Sequence, residues 1–380
     1  MATDQLIFLV VVGLRFGIPL LIPRFPLPAI VACLVLDAAD QTIFQQYTDL
    51  NLDGYQGYDK ALDIFYLAIA YLSTIRNWFD PIAFGAARFL WYYRLVGVVA
   101  FELTQTRALL IIFPNTFEYF FIAYEAVRCM WDPSRLRKRQ VYLTVAFIWI
   151  FIKLPQEWWL HIAQLDFTDF MKVDVLGTSP ETSWSTALSQ NWWFVALLVV
   201  AIALIVYGIR ALWTRLPEPD WSFTVDVDQH IDRTAVETSE QRAAFSLPLL
   251  VEKVALTALV TVIFAQLIPD SDASPLQITV AVAVIVVSSS AISHWMSGRG
   301  ISWSSIGREF GAMLVVNVAI VIAYVVLLRR SDTPVNEAAM VFFVVLLTLL
   351  VTLFDRFHGE RDAWQRSRLN ESGVPATHDG

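Results

Sequence analysis

The chain has 380 residues, of which 57% are hydrophobic and 16% charged, with a net charge of −8 and a mean hydropathy of +0.55. A soluble domain is about one-quarter charged, so the composition excludes an ordinary soluble enzyme, and the acidic balance excludes a nucleic-acid partner. The apolar residues come in runs near the roughly 20 residues a helix needs to cross a bilayer. The short alternating segments of a membrane β-barrel are not seen. The expectation is an all-α, polytopic integral membrane protein whose first partner is the lipid bilayer.

In chain order, runs and breakers predict about eleven spans (ten to twelve): 6–22, 26–40, 61–78, 81–103, 107–127, 140–160, 191–213, 247–268, 275–295, 306–328 and 335–354. The opening MATDQLIFLVVVGLRFG lacks a basic flank and a small-residue cleavage site and reads as an uncleaved first span. The second span is short, and its polar end is expected to continue as helix outside the membrane. Cys33 and Cys129 fall in a span and in a basic loop, so no disulfide is expected.

Basic loops stay cytoplasmic, and the loop 128–140, VRCMWDPSRLRKRQV with its flank, fixes the orientation. With that loop inside, inner segments hold 17 Lys/Arg, outer segments 5 and the spans 5. The N-terminus is then outside, the C-terminus cytoplasmic, and the destination a plasma membrane. The outer segments 37–63 and 161–190 are acidic, the latter through Asp166, Asp169, Asp174 and Glu181. Trp158, Trp159, Trp192 and Trp193 flank it as an interfacial belt would.

The chain divides into a polar-rich membrane half, 1–190, an apolar half, 191–355, and a cytoplasmic tail, 356–380, expected to be disordered. The apolar half carries a cytoplasmic insert, 214–246, that reads as a linker. No internal repeat is visible, unlike many secondary transporters. Arg94 and Glu118 fall near mid-depth of adjacent spans and are expected to pair. Arg88 and Glu125 lie nearer the cytoplasm, and Pro114 interrupts the fifth span beside Glu118. These four form either stacked ion pairs or a polar pathway.

The stretch TDLNLDGYQGYDKALD, 48–63, is the least apolar of the first half. Asp49, Asn51, Asp53 and Gly54 match the start of a calcium loop, with the Tyr55 carbonyl as a further ligand. Lys60 stands where that loop needs a bidentate glutamate, so Asp59 or Asp63 would complete it. The alternative for Asp49–Gly54 is a plain turn. Glu157 and His161, one turn apart, with Asp166 and Asp169 form a second candidate divalent-cation set.

Asp37-x-x-Asp40 closes the second span and Asp59-x-x-x-Asp63 opens the third. LDAADQ…GYDKALD partly resembles the CDP-alcohol phosphotransferase signature over about 27 residues. The resemblance implies four aspartates that hold two metals and activate an alcohol. It departs from the pattern at Gln41, which replaces a glycine, and at Phe44-Gln45, which replaces Ala-Arg. The gap between the pairs is one residue long, and Gly54 is one residue too far from Asp59. That family also works on the cytoplasmic side, whereas the basic loops place these aspartates outside.

Three functions follow as expectations. The first is transport or ion permeation through an extracytoplasmic acidic site that binds a divalent cation, calcium before others. The second is a metal-dependent membrane transferase acting on a lipid-linked substrate, and the third is an assembly subunit that binds partner membrane proteins.

Overall fold

The computed structural model describes residues 2–48, 55–163, 167–229, 246–265, 274–298, 306–327 and 337–371. Helices dominate these residues, with no strand among them. The polar-rich half supplies α1 (Ala2–Gly17), α2 (Pro26–Tyr47), α3 (Tyr55–Asn77), α4 (Pro81–Thr104), α5 (Ala108–Ile112), α6 (Thr116–Arg128) and α7 (Lys138–Phe147). The apolar half supplies α8 (Trp192–Trp213), α9 (Leu247–Ala265), α10 (Pro275–Gly298), α11 (Ile306–Leu327) and α12 (Glu337–Glu371).

Seven segments among the described residues are long and apolar enough to cross a membrane: 3–21, 26–45, 81–104, 192–213, 247–265, 275–295 and 340–367. Of the other four expected spans, three show why they fall short of that description. The third, α3, is the central post, packed by α1, α2, α4, α9 and α12. From Ala61 to Trp78 nearly every side chain is buried, so lipid never meets the tyrosines and hydroxyls that lower its apolarity. The fifth is broken into α5 and α6, and the sixth is interrupted by π-helical turns, while the tenth forms the helix α11.

The polar end of the second span continues as helix, as expected. α2 runs unbroken to Tyr47, and Asp37 and Asp40 lie within the span-length segment 26–45. Proline opens both α2 and α4 at a position where its missing N–H costs nothing. Asp80 caps α4 by accepting from the Ile82 N–H at 2.9 Å.

The break at Phe113–Asn115 is built from both sides. Pro114 cannot donate to the Leu110 carbonyl, and the Thr116 N–H turns to the Pro114 carbonyl, so the carbonyls at the break lack their helical partners. α4 supplies replacements: Tyr93 Oη donates to the Ile112 carbonyl at 2.8 Å and Arg94 Nη1 to the Phe113 carbonyl at 3.0 Å. Gly97 makes the fit possible, since a Cβ there would lie 2.1 Å from Phe113 Cβ. Pro155 has a parallel effect on α7. The helix runs on through π-helical turns at Ile148–Lys153 and Trp158–Ile162 on either side of Leu154–Glu157.

The first part of the 214–246 insert is no loose linker. Residues 217–229 strap across the 128–137 end of the bundle. Arg135 and the Asp132 N–H both bind Asp220, Arg24 binds Asp226, and Arg76 binds Asp228. The Asp226 carboxylate raises the Arg24 guanidinium above its ordinary pKa by hydrogen bonding and charge. Residues 230–245 lie outside the described set. The first part of the tail continues α12 to Glu371 and packs on the bundle through Phe79–Trp364 stacking.

Gly97→Ala should overpack the α4–Phe113 contact by about 1–3 kcal/mol. A lowered unfolding midpoint in detergent, beside an unchanged one for Gly85→Ala, is the expected result; Gly85 has nothing within 4 Å of its would-be Cβ.

Candidate cation site and intramembrane network

Four of the sequence-selected aspartates converge, and the point on which they converge is Arg15 of α1. Arg15 Nη1 donates to Asp40 and, at 3.0 Å, to Asp59, while Nη2 donates to Asp37 at 2.5 Å and to Asp63 at 3.1 Å. Each terminal nitrogen therefore bridges one carboxylate of α2 and one of α3. The i,i+3 and i,i+4 spacings make this possible by holding each pair on one helical face.

Charge and burial decide what this cluster can do. The guanidinium is always protonated, so four ionised carboxylates around it leave an excess of three negative charges. The Arg15 and Asp40 side chains are 3% and 0% exposed, whereas Asp37, Asp59 and Asp63 are 26%, 32% and 34% exposed. Asp40 is thus the dry anchor of Arg15, and the other three form an accessible rim. One oxygen from each of Asp37, Asp59 and Asp63 lies within 4.8 Å of the others. Calcium takes oxygens at about 2.3–2.6 Å, so two ligands of one ion sit at most about 5 Å apart. The donor set and its spacing fit a hard divalent cation.

The calcium loop proper, Asp49, Asn51 and Asp53, lies outside the described residues, and of Tyr55 only the helical backbone is described. Lys60 turns away from the aspartates, pairing with Glu102 at 3.7 Å and resting 4.1 Å from the Phe101 ring centroid.

A second polar system begins one turn along α3. Tyr66 Oη donates to Glu118 Oε1 at 2.5 Å, and Asn115 Nδ2 donates to Glu118 Oε2 at 2.9 Å. Lys153 supplies the countercharge, 3.6 Å from the same oxygen. The Asn115 N–H then donates to Glu157 at 3.2 Å, and His161 lies 3.0 Å from the other Glu157 oxygen. Glu118 therefore pairs with Lys153 and not with Arg94, because the carbonyl freed by the Pro114 break takes the Arg94 guanidinium. Glu157 and His161 belong to this interior string. Asp169 is exposed at the surface and Asp166 lies outside the described residues. Among the described residues, Asp37, Asp59 and Asp63 are the one group with metal-ligand spacing.

Arg88 and Glu125 also take other partners. Arg88 binds Glu252 of α9 at 2.8 Å, with Tyr71 on the same carboxylate. Glu125 binds Arg128 at 2.5 Å and accepts from Trp78 Nε1 at 2.7 Å. Between the Glu118 and Glu125 levels lies an aromatic layer of Tyr71, Trp91, Phe117 and Phe121, all fully buried. Tyr71 stacks on Trp91 at 5.8 Å, and Phe117 meets both.

Three polar atoms beside the Glu118 string, Arg94 Nε, Asn115 Oδ1 and Thr116 Oγ1, are buried with no hydrogen-bond partner among the described residues. Such atoms are uncommon, and here they gather at one helix break. Sequence reading missed Arg15, Tyr66 and Lys153 as site residues. The available signal for Arg15 was its position as a lone basic residue in the first span.

Comparison with protein-family models, with curated proteins and with solved structures returns no match to this chain. The functional reading therefore rests on the geometry above.

Removing one member of a buried charge pair typically costs about 3–5 kcal/mol. Arg15→Leu should lower the unfolding midpoint accordingly, and Arg15→Leu/Asp40→Leu should recover part of the loss. Thermal unfolding of the purified variants checks this, and equal losses for single and double variant would contradict it.

Proposed function

We propose that this chain is a membrane transport protein of the plasma membrane that loads a divalent cation, calcium before others, at Asp37, Asp59 and Asp63. The carrying observation is the rim of three partly exposed carboxylates, with one oxygen of each within 4.8 Å of the others, gathered around a single guanidinium. With the basic loops inside, this rim opens toward the extracytoplasmic side. There an ion meets oxygen ligands of the hard type that calcium or magnesium requires.

Arg15 is the internal competitor in this reading. While the rim is free of cation, Arg15 serves all four aspartates; a bound ion takes over the rim and leaves Arg15 to Asp40. The exchange alters what α1 contributes to α2 and α3, and α3 carries the change one turn on to Tyr66 and Glu118. Ionisable residues strung through the interior of a span bundle commonly mark ion and proton pathways. The aromatic layer closes this pathway toward the cytoplasm, so transport requires Tyr71 and Phe117 to move.

A second reading has an observation of its own. The two aspartate pairs meet from the end of α2 and the start of α3, as a metal-dependent transferase acting on a lipid-linked substrate would need. In that case Asp37, Asp59 and Asp63 hold the metal, and a carboxylate left off the metal acts as general base toward the acceptor hydroxyl.

Purified protein should gain thermal stability on titration with calcium, with magnesium or manganese weaker and zinc weakest. Asp63→Asn should abolish the gain while keeping the unliganded midpoint within a few degrees. Proteoliposomes loaded with a calcium indicator separate the two readings. Cation uptake by wild-type and none by Asp63→Asn supports transport, whereas metal stabilisation without uptake moves the assignment to the transferase.

A further inference from the structure

α8 stands apart from the bundle it belongs to. It is the most apolar of the span-length segments among the described residues, and no residue of it is buried. The helix is held at its two ends. At one, Asn191 Nδ2 donates to the Leu176 carbonyl at 3.0 Å, within the segment that leads into α8. At the other, Trp213 meets Trp131 edge-on with ring centroids 5.9 Å apart, and Trp131 Nε1 donates to the Pro217 carbonyl at 3.1 Å. Every residue of α8 except Phe194 and Ala211 is exposed, so the face toward the bundle is open as well as the face away from it. α7 likewise exposes Leu143, Phe147 and Phe151. In a bilayer a gap with such walls fills with acyl chains, since lipid tails are as apolar as the side chains that border it.

The mouth of this gap, at the Trp131–Trp213 end, is basic. Arg210 lies in the last turn of α8 and Arg215 just past it, while Arg137, Lys138 and Arg139 open α7 directly after the turn that carries Trp131. All five are exposed, and none has an ion-pair partner among the described residues. Arg135 beside them is taken by Asp220. The strap 217–229 answers with a single exposed acid, Glu218. With the basic loops inside, this mouth meets the cytoplasmic leaflet, which holds the anionic lipids. Guanidinium groups grip a phosphate through paired N–H donors, and an ammonium adds a point charge.

We infer that the gap between α8 and the bundle holds an anionic phospholipid, its headgroup phosphate on these cations and its acyl chains along α8. The cations select the headgroup and the open apolar face selects the tails. A soluble phosphate would satisfy the first and leave the gap empty. A neutral lipid would fill the gap and leave the cations unanswered. The inference does not depend on the cation-site reading, since the two sites share no residue. The bound lipid joins α8 to the helices it does not touch directly.

Native mass spectrometry of the delipidated full chain reads this site, with phosphatidylglycerol and phosphatidylcholine of the same acyl chains added in turn. Phosphatidylglycerol should form a one-to-one adduct about tenfold tighter, or more, than phosphatidylcholine does. Glycerol phosphate, the headgroup chemistry without tails, should fail to displace it even in large excess. Arg210→Gln/Arg215→Gln should weaken the adduct by about tenfold with the lipid-free unfolding midpoint unchanged. Arg137→Gln/Lys138→Gln/Arg139→Gln should do the same from the other helix. Arg107→Gln, which removes an exposed cation at the opposite end of the bundle, should leave binding as it is. Equal affinity for the two lipids, displacement by glycerol phosphate, or unaltered binding in both charge variants would each overturn the assignment. A lipid-free dimer would overturn it too, by giving the open face of α8 to a second copy of the chain.

Discussion

A guanidinium shared by four carboxylates ties the first three helices of this protein together. Arg15 reaches out of α1 and places each terminal nitrogen between one aspartate of α2 and one of α3. Carboxylates at the depth of Asp37 and Asp40 are expensive in a bilayer unless paired, and α2 is span-length with both of them inside it. Without Arg15 the α2–α3 interface would set four like charges against one another. With it, the interface is attractive, and α3 can stand at the centre of the bundle despite its polar face. With all four aspartates ionised, the arrangement among the described residues falls three charges short of neutrality. That shortfall is what the proposed cation would offset.

The rest of the membrane region extends the same principle of local pairing. Several buried charges among the described residues pair with a neighbouring helix or a freed backbone group. Glu118 has Lys153, Glu252 has Arg88, Lys253 has Asp355, and Arg94 has the carbonyl released at the Pro114 break. The aromatic layer around Tyr71 and Trp91 keeps the Glu118 string apart from the Glu125–Arg128 pair at the other end. Two polar compartments result, one associated with the acid rim and the other with the strap.

Much of this was legible in the sequence, for identifiable reasons. Long apolar runs predict helices because lipid forces the backbone to bond within itself, and proline punctuation locates the starts of α2 and α4 and the break at Pro114. The Asp37/Asp40 and Asp59/Asp63 pairs were recognisable as facing sets from spacing alone. Which cation answers which acid was not legible. Arg15 is separated from its partners by 22 to 48 residues, and pairing at such distances depends on how helices rotate against each other. Glu118 shows the difficulty well. Arg94 and Lys153 lay at comparable depth, and the choice turned on two local events, the carbonyls freed by Pro114 and the π-helical turns beside Pro155 that change the phase of the helix bearing Lys153. The packing of residues 217–229 on the bundle was not legible either, because the acids Asp220, Asp226 and Asp228 meet Arg135, Arg24 and Arg76 only in three dimensions. The calcium-loop residues Asp49, Asn51 and Asp53 lie outside the described residues, so their part in the rim rests on sequence alone.

The central claim is that the rim around Arg15 is a cation site, and the most direct test is to count the ions it holds. Manganese is a paramagnetic substitute for calcium and magnesium, and its free form gives a sharp electron paramagnetic resonance signal that vanishes on binding. Titration of the purified chain with manganese should show one ion bound per chain, displaced by calcium and lost when Asp59 and Asp63 are both changed to asparagine. A signal that remains that of free manganese at millimolar concentration, or binding that survives the double change, would contradict the account.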